Sequence, residues 1–122
     1  MKLDIAKLLL RLTVGVFMFV NHGFPKLSKI IIGNFEFGNP IGIGEAPSLI
    51  LTVLAEFFCS IFIIIGFKTK WATVPLAFTM FVAVFIVHLT DPLAKKELGF
   101  IYLVSYIIIY LIGPGKYSFD KK

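Results

Sequence analysis

The stretch that most constrains this chain is Leu49 to Phe67, LILTVLAEFFCSIFIIIGF, where Glu56 is the one charged residue. At ~1.5 Å per residue it matches about 30 Å of hydrocarbon, so it reads as a helix crossing a bilayer. A carboxylate at that depth is costly and needs a partner, a proton or a role. Composition agrees with a lipid environment. The 122 residues are 58% hydrophobic and 16% charged, with mean hydropathy +0.94, more apolar surface than a soluble domain of this size can hide. The net charge of +5 does not point to nucleic acid, because the basic residues sit in short clusters between apolar runs. A single cysteine, Cys59, excludes an internal disulfide and a CxxC redox pair.

The apolar runs predict four spans, at about 5–21, 48–67, 71–89 and 98–112, in a single membrane domain covering residues 1–122. Arg11 would interrupt the apolar core of a signal peptide, and no small-x-small cleavage pattern follows, so the first run reads as a retained span. Residues 22–47 read as a long external loop, with PKLSKIIIGNFEF in the interface and Lys26, Lys29 and Glu36 facing water. Pro75 falls in the first turns of the third span, where a missing backbone donor costs least, and Gly113-Pro114-Gly115 ends the fourth. Short connections make spans two to four antiparallel neighbours. The expected fold is an all-α integral membrane protein, a four-transmembrane-helix bundle. Lys2, Lys7, Arg11, Lys68, Lys70, Lys116, Lys121 and Lys122 outnumber Lys26, Lys29, Lys95 and Lys96, which places both termini in the cytoplasm.

Polar residues at bilayer depth form stripes at helical spacing. Arg11, Gly15, Met18 and His22 share a face of span one; Thr52, Glu56, Cys59 and Ser60 share one of span two; Gly99, Tyr102, Tyr106 and Tyr110 share one of span four. Such faces belong in the bundle interior. Arg11 lies roughly 9 Å and Glu56 roughly 15 Å from the inner end of their spans, so an Arg11–Glu56 ion pair is expected. That pair either fixes helix register or forms an internal charged site. His22 and His88 end spans one and three on the outer side, level with Asp91 and Glu97. Two imidazoles and two carboxylates there could relay protons or hydrogen-bond the carbonyls of a quinone-like head group; the plain alternative is histidines resting among lipid head groups. No HxxxH or HExxH spacing is present, so no metal is assigned. The candidate ligand-binding set is Arg11, His22, Glu56, His88 and Glu97, and no catalytic residue is assigned. Cys59, without a base, reads as packing.

These landmarks, in this order, resemble the DoxX family of small bacterial membrane proteins. The resemblance is carried by Arg11 and Gly15, His22-Gly23-Phe24-Pro25-Lys26-Leu27, Glu56, Gly66-Phe67-Lys68-Thr69-Lys70, Met80, His88, Glu97, and the ending Gly113-Pro114-Gly115-Lys116-Tyr117-Ser118-Phe119-Asp120. Phe57-Phe58 departs from the small glycines that many members carry after the glutamate. The resemblance implies a multi-pass protein of the bacterial inner membrane. Some relatives belong to thiosulfate:quinone oxidoreductase, and others are associated with complexes handling thiol and oxidative stress.

The leading expectation is therefore a quinone-interacting subunit of a membrane redox complex. The chain has no cysteine pair, flavin motif or haem signature, so no covalently bound cofactor is expected and electron transfer would need a partner redox protein. A small-molecule binding or transport protein, acting as a homo-oligomer, is the second reading. A structural or assembly factor is the third.

Overall fold

Glycine and proline punctuation divides the apolar sequence into four long helices, seen in a computed structural model that describes residues 1–120. We number them α1 (residues 2–31), α2 (Glu45–Ile65), α3 (Thr69–Val87) and α4 (Leu93–Ile112). They close into a bundle in which α1 packs on α2 and α4, α2 on α3, and α3 most extensively on α4. The interior is made by Val14 and Met18 of α1, Ala55 and Ile63 of α2, Leu76 and Met80 of α3, and Tyr102, Tyr106 and Ile109 of α4. Phe17, Leu54, Phe78, Phe85, Ile101 and Leu111 stay exposed on the outside, an arrangement that fits a bundle surrounded by lipid. α2 and α3 are long and apolar enough to cross a membrane, with mean hydropathies of 2.5 and 1.8. Lys121 and Lys122, which contribute to the expected cytoplasmic charge excess, lie outside the described residues.

Each of α1, α2 and α3 contains a widened π-helical turn, at Phe19–Gly23, Leu54–Cys59 and Ala83–Val87. The first of these overturns an expectation. Residues 22–31 are helical rather than part of an external loop, and the non-helical connection shrinks to residues 32–44. The reason lies at Pro25. A proline normally clashes with the carbonyl four residues back and leaves a gap in the hydrogen-bond ladder. Here the Phe24 amide bonds to Phe19 O, five residues back, so the turn is already opened where the proline ring arrives.

The α2–α3 turn shows why a short connection suffices. Gly66, at φ 72°, takes the left-handed conformation that ends α2. The Phe67 amide returns to Phe62 O at 2.9 Å and the Gly66 amide to Ile63 O at 3.2 Å, while the Phe62 and Phe67 rings pack at 5.8 Å. These are the two bonds and the apolar contact of a Schellman stop. α3 then starts without a cap from its own sequence; Asp120, from the far end of the chain, accepts from the Lys68 amide at 2.5 Å and the Thr69 amide at 2.9 Å. A carboxylate at a helix N-terminus satisfies orphan donors and complements the dipole.

Candidate functional site

α1 and α2 cross in a fixed register. A Cβ on Gly15 would meet Ile64 Cγ1 at 2.7 Å, and one on Gly23 would meet the backbone carbonyl of Glu56 and, at 2.7 Å, Phe57 Cα. Eight residues up α1 thus match eight residues down α2. At the upper crossing the two π-turns lie back to back with only a glycine between them. Phe19 and Phe57 flank the contact, their rings 4.7 Å apart.

Glu56 emerges from this crossing 3% exposed, and Lys26 Nζ meets its Oε1 at 2.5 Å. Helical side chains tilt toward their own N-terminus. Lys26 therefore reaches back toward the start of α1 and Glu56 back toward the start of α2, and the two meet although Lys26 lies three residues beyond Gly23. Lys26 does not face water, as the sequence suggested. It extends the Arg11–Gly15–Met18–His22 stripe by one more step of four, which was the signal available for finding it.

His22 lies close enough to both charges to feel them, and its ring stands edge-on to Tyr102 at 5.6 Å. Tyr106 stacks below Tyr102 at 6.1 Å, fully buried, with its hydroxyl unpartnered among the described residues. The field of Glu56 reaches both tyrosines. The result is a polar column running through the α1–α2–α4 junction, made of an ammonium, a carboxylate, an imidazole and two phenols. An arrangement of this kind can hold a charge pair inside the bundle, with an imidazole and two phenol rings packed beside it.

The expected Arg11–Glu56 pair does not form. Register is the cause: Arg11 lies four residues below Gly15 and twelve below Gly23, so it stands roughly 18 Å from the level of Glu56. Its guanidinium instead donates to Ile63 O at 3.1 Å, Ile64 O at 3.2 Å and Tyr117 O. The Ile63 and Ile64 carbonyls lie in the last turn of α2, where the helix dipole favours a cation. Arg11 is 1% exposed and ties α1, the end of α2 and the C-terminal tail together.

His88 and Glu97 also stay apart from the polar column. His88 follows the π-turn of α3 and bonds Asp91 Oδ2 through Nδ1 at 2.7 Å, a bond that holds the Asp91 carboxyl below the usual carboxylate range. Glu97 is exposed on a shallow outer groove beside Leu93 and Phe100. Of the five residues expected to converge, His22 and Glu56 do so, joined by Lys26. Among the described residues no three His, Cys, Asp or Glu side chains gather into a set able to hold a metal.

A half-open cavity of about 340 Å³ lies on the other flank of α2, between α2 and α3 and beside residues 40–43 of the connection, with Leu54 and Phe78 at its open side. Ser48, Ala55 and Cys59 line one wall and Phe78 and Thr79 the other. Glu56 sits between Ala55 and Cys59 in sequence but on the α1 side, so one helix carries the polar column on one face and the apolar cavity on another.

No curated protein and no solved structure matches the chain significantly. The family model described as DoxX matches residues 6–89, more than half of the chain, a segment containing Arg11, His22, Lys26, Glu56 and His88. The chain belongs to the DoxX family.

Proposed function

We propose that this protein is a quinone-interacting subunit of a redox complex in the bacterial inner membrane. It crosses the bilayer four times with both termini in the cytoplasm. The observation that carries the reading is the Lys26–Glu56 pair with His22 beside it, buried where three helices meet. Ionisable groups held inside a membrane bundle are expensive and are retained mainly where charge or protons move. In this role Lys26 and His22 present hydrogen-bond donors to a quinone carbonyl at the outer half of α1, and Glu56 accepts or returns the proton that accompanies each electron. Tyr102 packs against His22 and Tyr106 against Tyr102, ring against ring. The chain supplies binding and proton handling. Electrons come from a partner protein, since neither a cysteine pair nor a flavin or haem motif is encoded here.

Decylubiquinone added to the purified protein is the direct test. A thermal shift that saturates, and that disappears in Glu56→Gln and His22→Ala, is the expected result. Absence of any shift, together with no quinone extractable from freshly purified protein, would remove the proposal.

A further inference from the structure

The cavity between α2 and α3 takes no part in the reading above, and its chemistry differs. The hydroxyls that line it are mostly committed to their own helices. Thr52 Oγ1 donates to Ser48 O at 2.7 Å and Thr79 Oγ1 to Pro75 O at 2.8 Å, the back-bonding usual for a hydroxyl inside a helix. Ser48 is the exception. It is 5% exposed, its hydroxyl has no partner among the described residues, and it lines the end of the cavity nearest the connection. A buried hydroxyl without a partner costs stability, and a ligand acceptor would recover it.

Size narrows the occupant. Ser48 and Cys59 lie eleven residues apart on α2, about 16 Å along the axis. Spread over that length, 340 Å³ gives a mean cross-section of about 20 Å², the width of one alkyl chain, and the groove opens to the outside along Leu54 and Phe78. Leu51, Leu54, Phe78 and Val82 supply an apolar lining along this length, and Ile41 and Ile43 line it beside Ser48. It is therefore a half-open groove with one polar end, at the level where α2 begins, and an apolar trough running from it.

We propose that this cavity binds a single-chain acyl lipid, its carbonyl oxygen accepting from Ser48 Oγ and its chain running toward Cys59. The polarity matches that of an acyl ester in a leaflet, with carbonyl near the interface and hydrocarbon toward the bilayer centre. This proposal does not rest on the quinone reading, since it uses the opposite flank of α2.

The test uses the full chain in nanodiscs and a lauroyl ester bearing a photoreactive diazirine at the end of its chain. Adducts are expected on the α2 and α3 segments around Cys59 and Phe78. Labelling should saturate, and methyl laurate should displace the probe while methyl butyrate should not. Ser48→Ala, which removes only the hydroxyl, should weaken binding about tenfold, the equivalent of one hydrogen bond. Ala55→Phe should fill the trough and abolish labelling; the Ser48→Ala result stands by itself if that variant does not fold. Unsaturable adducts scattered over lipid-facing residues such as Phe17 and Leu111 would overturn the proposal. So would labelling unchanged by Ser48→Ala, or displacement by decylubiquinone but not by methyl laurate.

Discussion

Lys26 Nζ and Glu56 Oε1 lie 2.5 Å apart across the α1–α2 crossing, and neither charge has comparable access to water elsewhere: the side chains are 23% and 4% exposed. Breaking such a pair leaves one charge buried and uncompensated, at a cost of about 3–5 kcal/mol in a closed interior. The partial exposure of Lys26 reduces that to about 2–4 kcal/mol here. Glu56→Gln and Lys26→Met should each lose about this much in detergent unfolding. The double variant should recover most of the loss, because two neutral side chains leave no charge stranded. Additive losses in the cycle would show that the two residues are not energetically coupled.

Gly23 and Gly15 offer a graded comparison along the same crossing. A methyl group at Gly23 would be driven into the backbone of Glu56 and Phe57, which cannot yield without spreading the helices. At Gly15 it would meet Ile64 Cγ1, the branch of a side chain that can rotate aside. Gly23→Ala should therefore cost more than about 3 kcal/mol, and Gly15→Ala about 1 kcal/mol, the ordinary range for overpacking. Gly23→Ala should also abolish the energetic coupling of Lys26 with Glu56, which Gly15→Ala should leave in place. Equal costs at the two positions would contradict the rigid crossing.

Much of this architecture could be read from residues. The apolar runs, the Gly113 stop and the solitary carboxylate in α2 follow from period and composition. The partner of Glu56 did not follow, for a physical reason. Pro25 signals the end of a helix, and only a π-turn, which leaves no signature in periodicity, lets α1 continue to carry Lys26 inward. The use of Arg11 was hidden differently. Depth alone brings it near Glu56, but depth says nothing about register, and the register is set by glycine contacts at Gly15 and Gly23. His88 bonds Asp91, three residues on and one of the carboxylates that the sequence put at its level.

Arg11 joins the tail to the bundle through Tyr117 O, so its loss should first appear in the tail. Hydrogen bonds from a charged donor contribute about 1.5–3 kcal/mol each. Arg11→Met should then make opening of residues 116–120, read as trypsin cleavage after Lys116, roughly 10- to 100-fold faster. Arg11→Lys should fall between, since an ammonium keeps the charge but cannot fork to Ile63, Ile64 and Tyr117 together. Cleavage at the wild-type rate in both variants would mean that the guanidinium does not hold the tail.

Asp120 makes the same latch sensitive to acid. Burial pushes its carboxyl pKa up, but hydrogen bonds from Thr69 and Lys68 and the charge of Arg11 outweigh that, holding it below the ordinary carboxylate range. A group whose folded pKa is depressed contributes stability above its unfolded pKa of about 3.9 and loses it as pH falls through the folded value. The cap on α3 should therefore be constant from neutral pH down to about 5 and fail only below about pH 4. Trp71 reports this event, because it lines the same surface groove as Asp120, beside Lys68 and Pro114. Its fluorescence should change in one acid transition with a midpoint below that of a free carboxylate. Asp120→Asn, which keeps an acceptor but removes the charge, should erase that transition and give the acid-state emission at neutral pH. A midpoint at or above the free-carboxylate value in the wild type would show that the cap is not held as an anion.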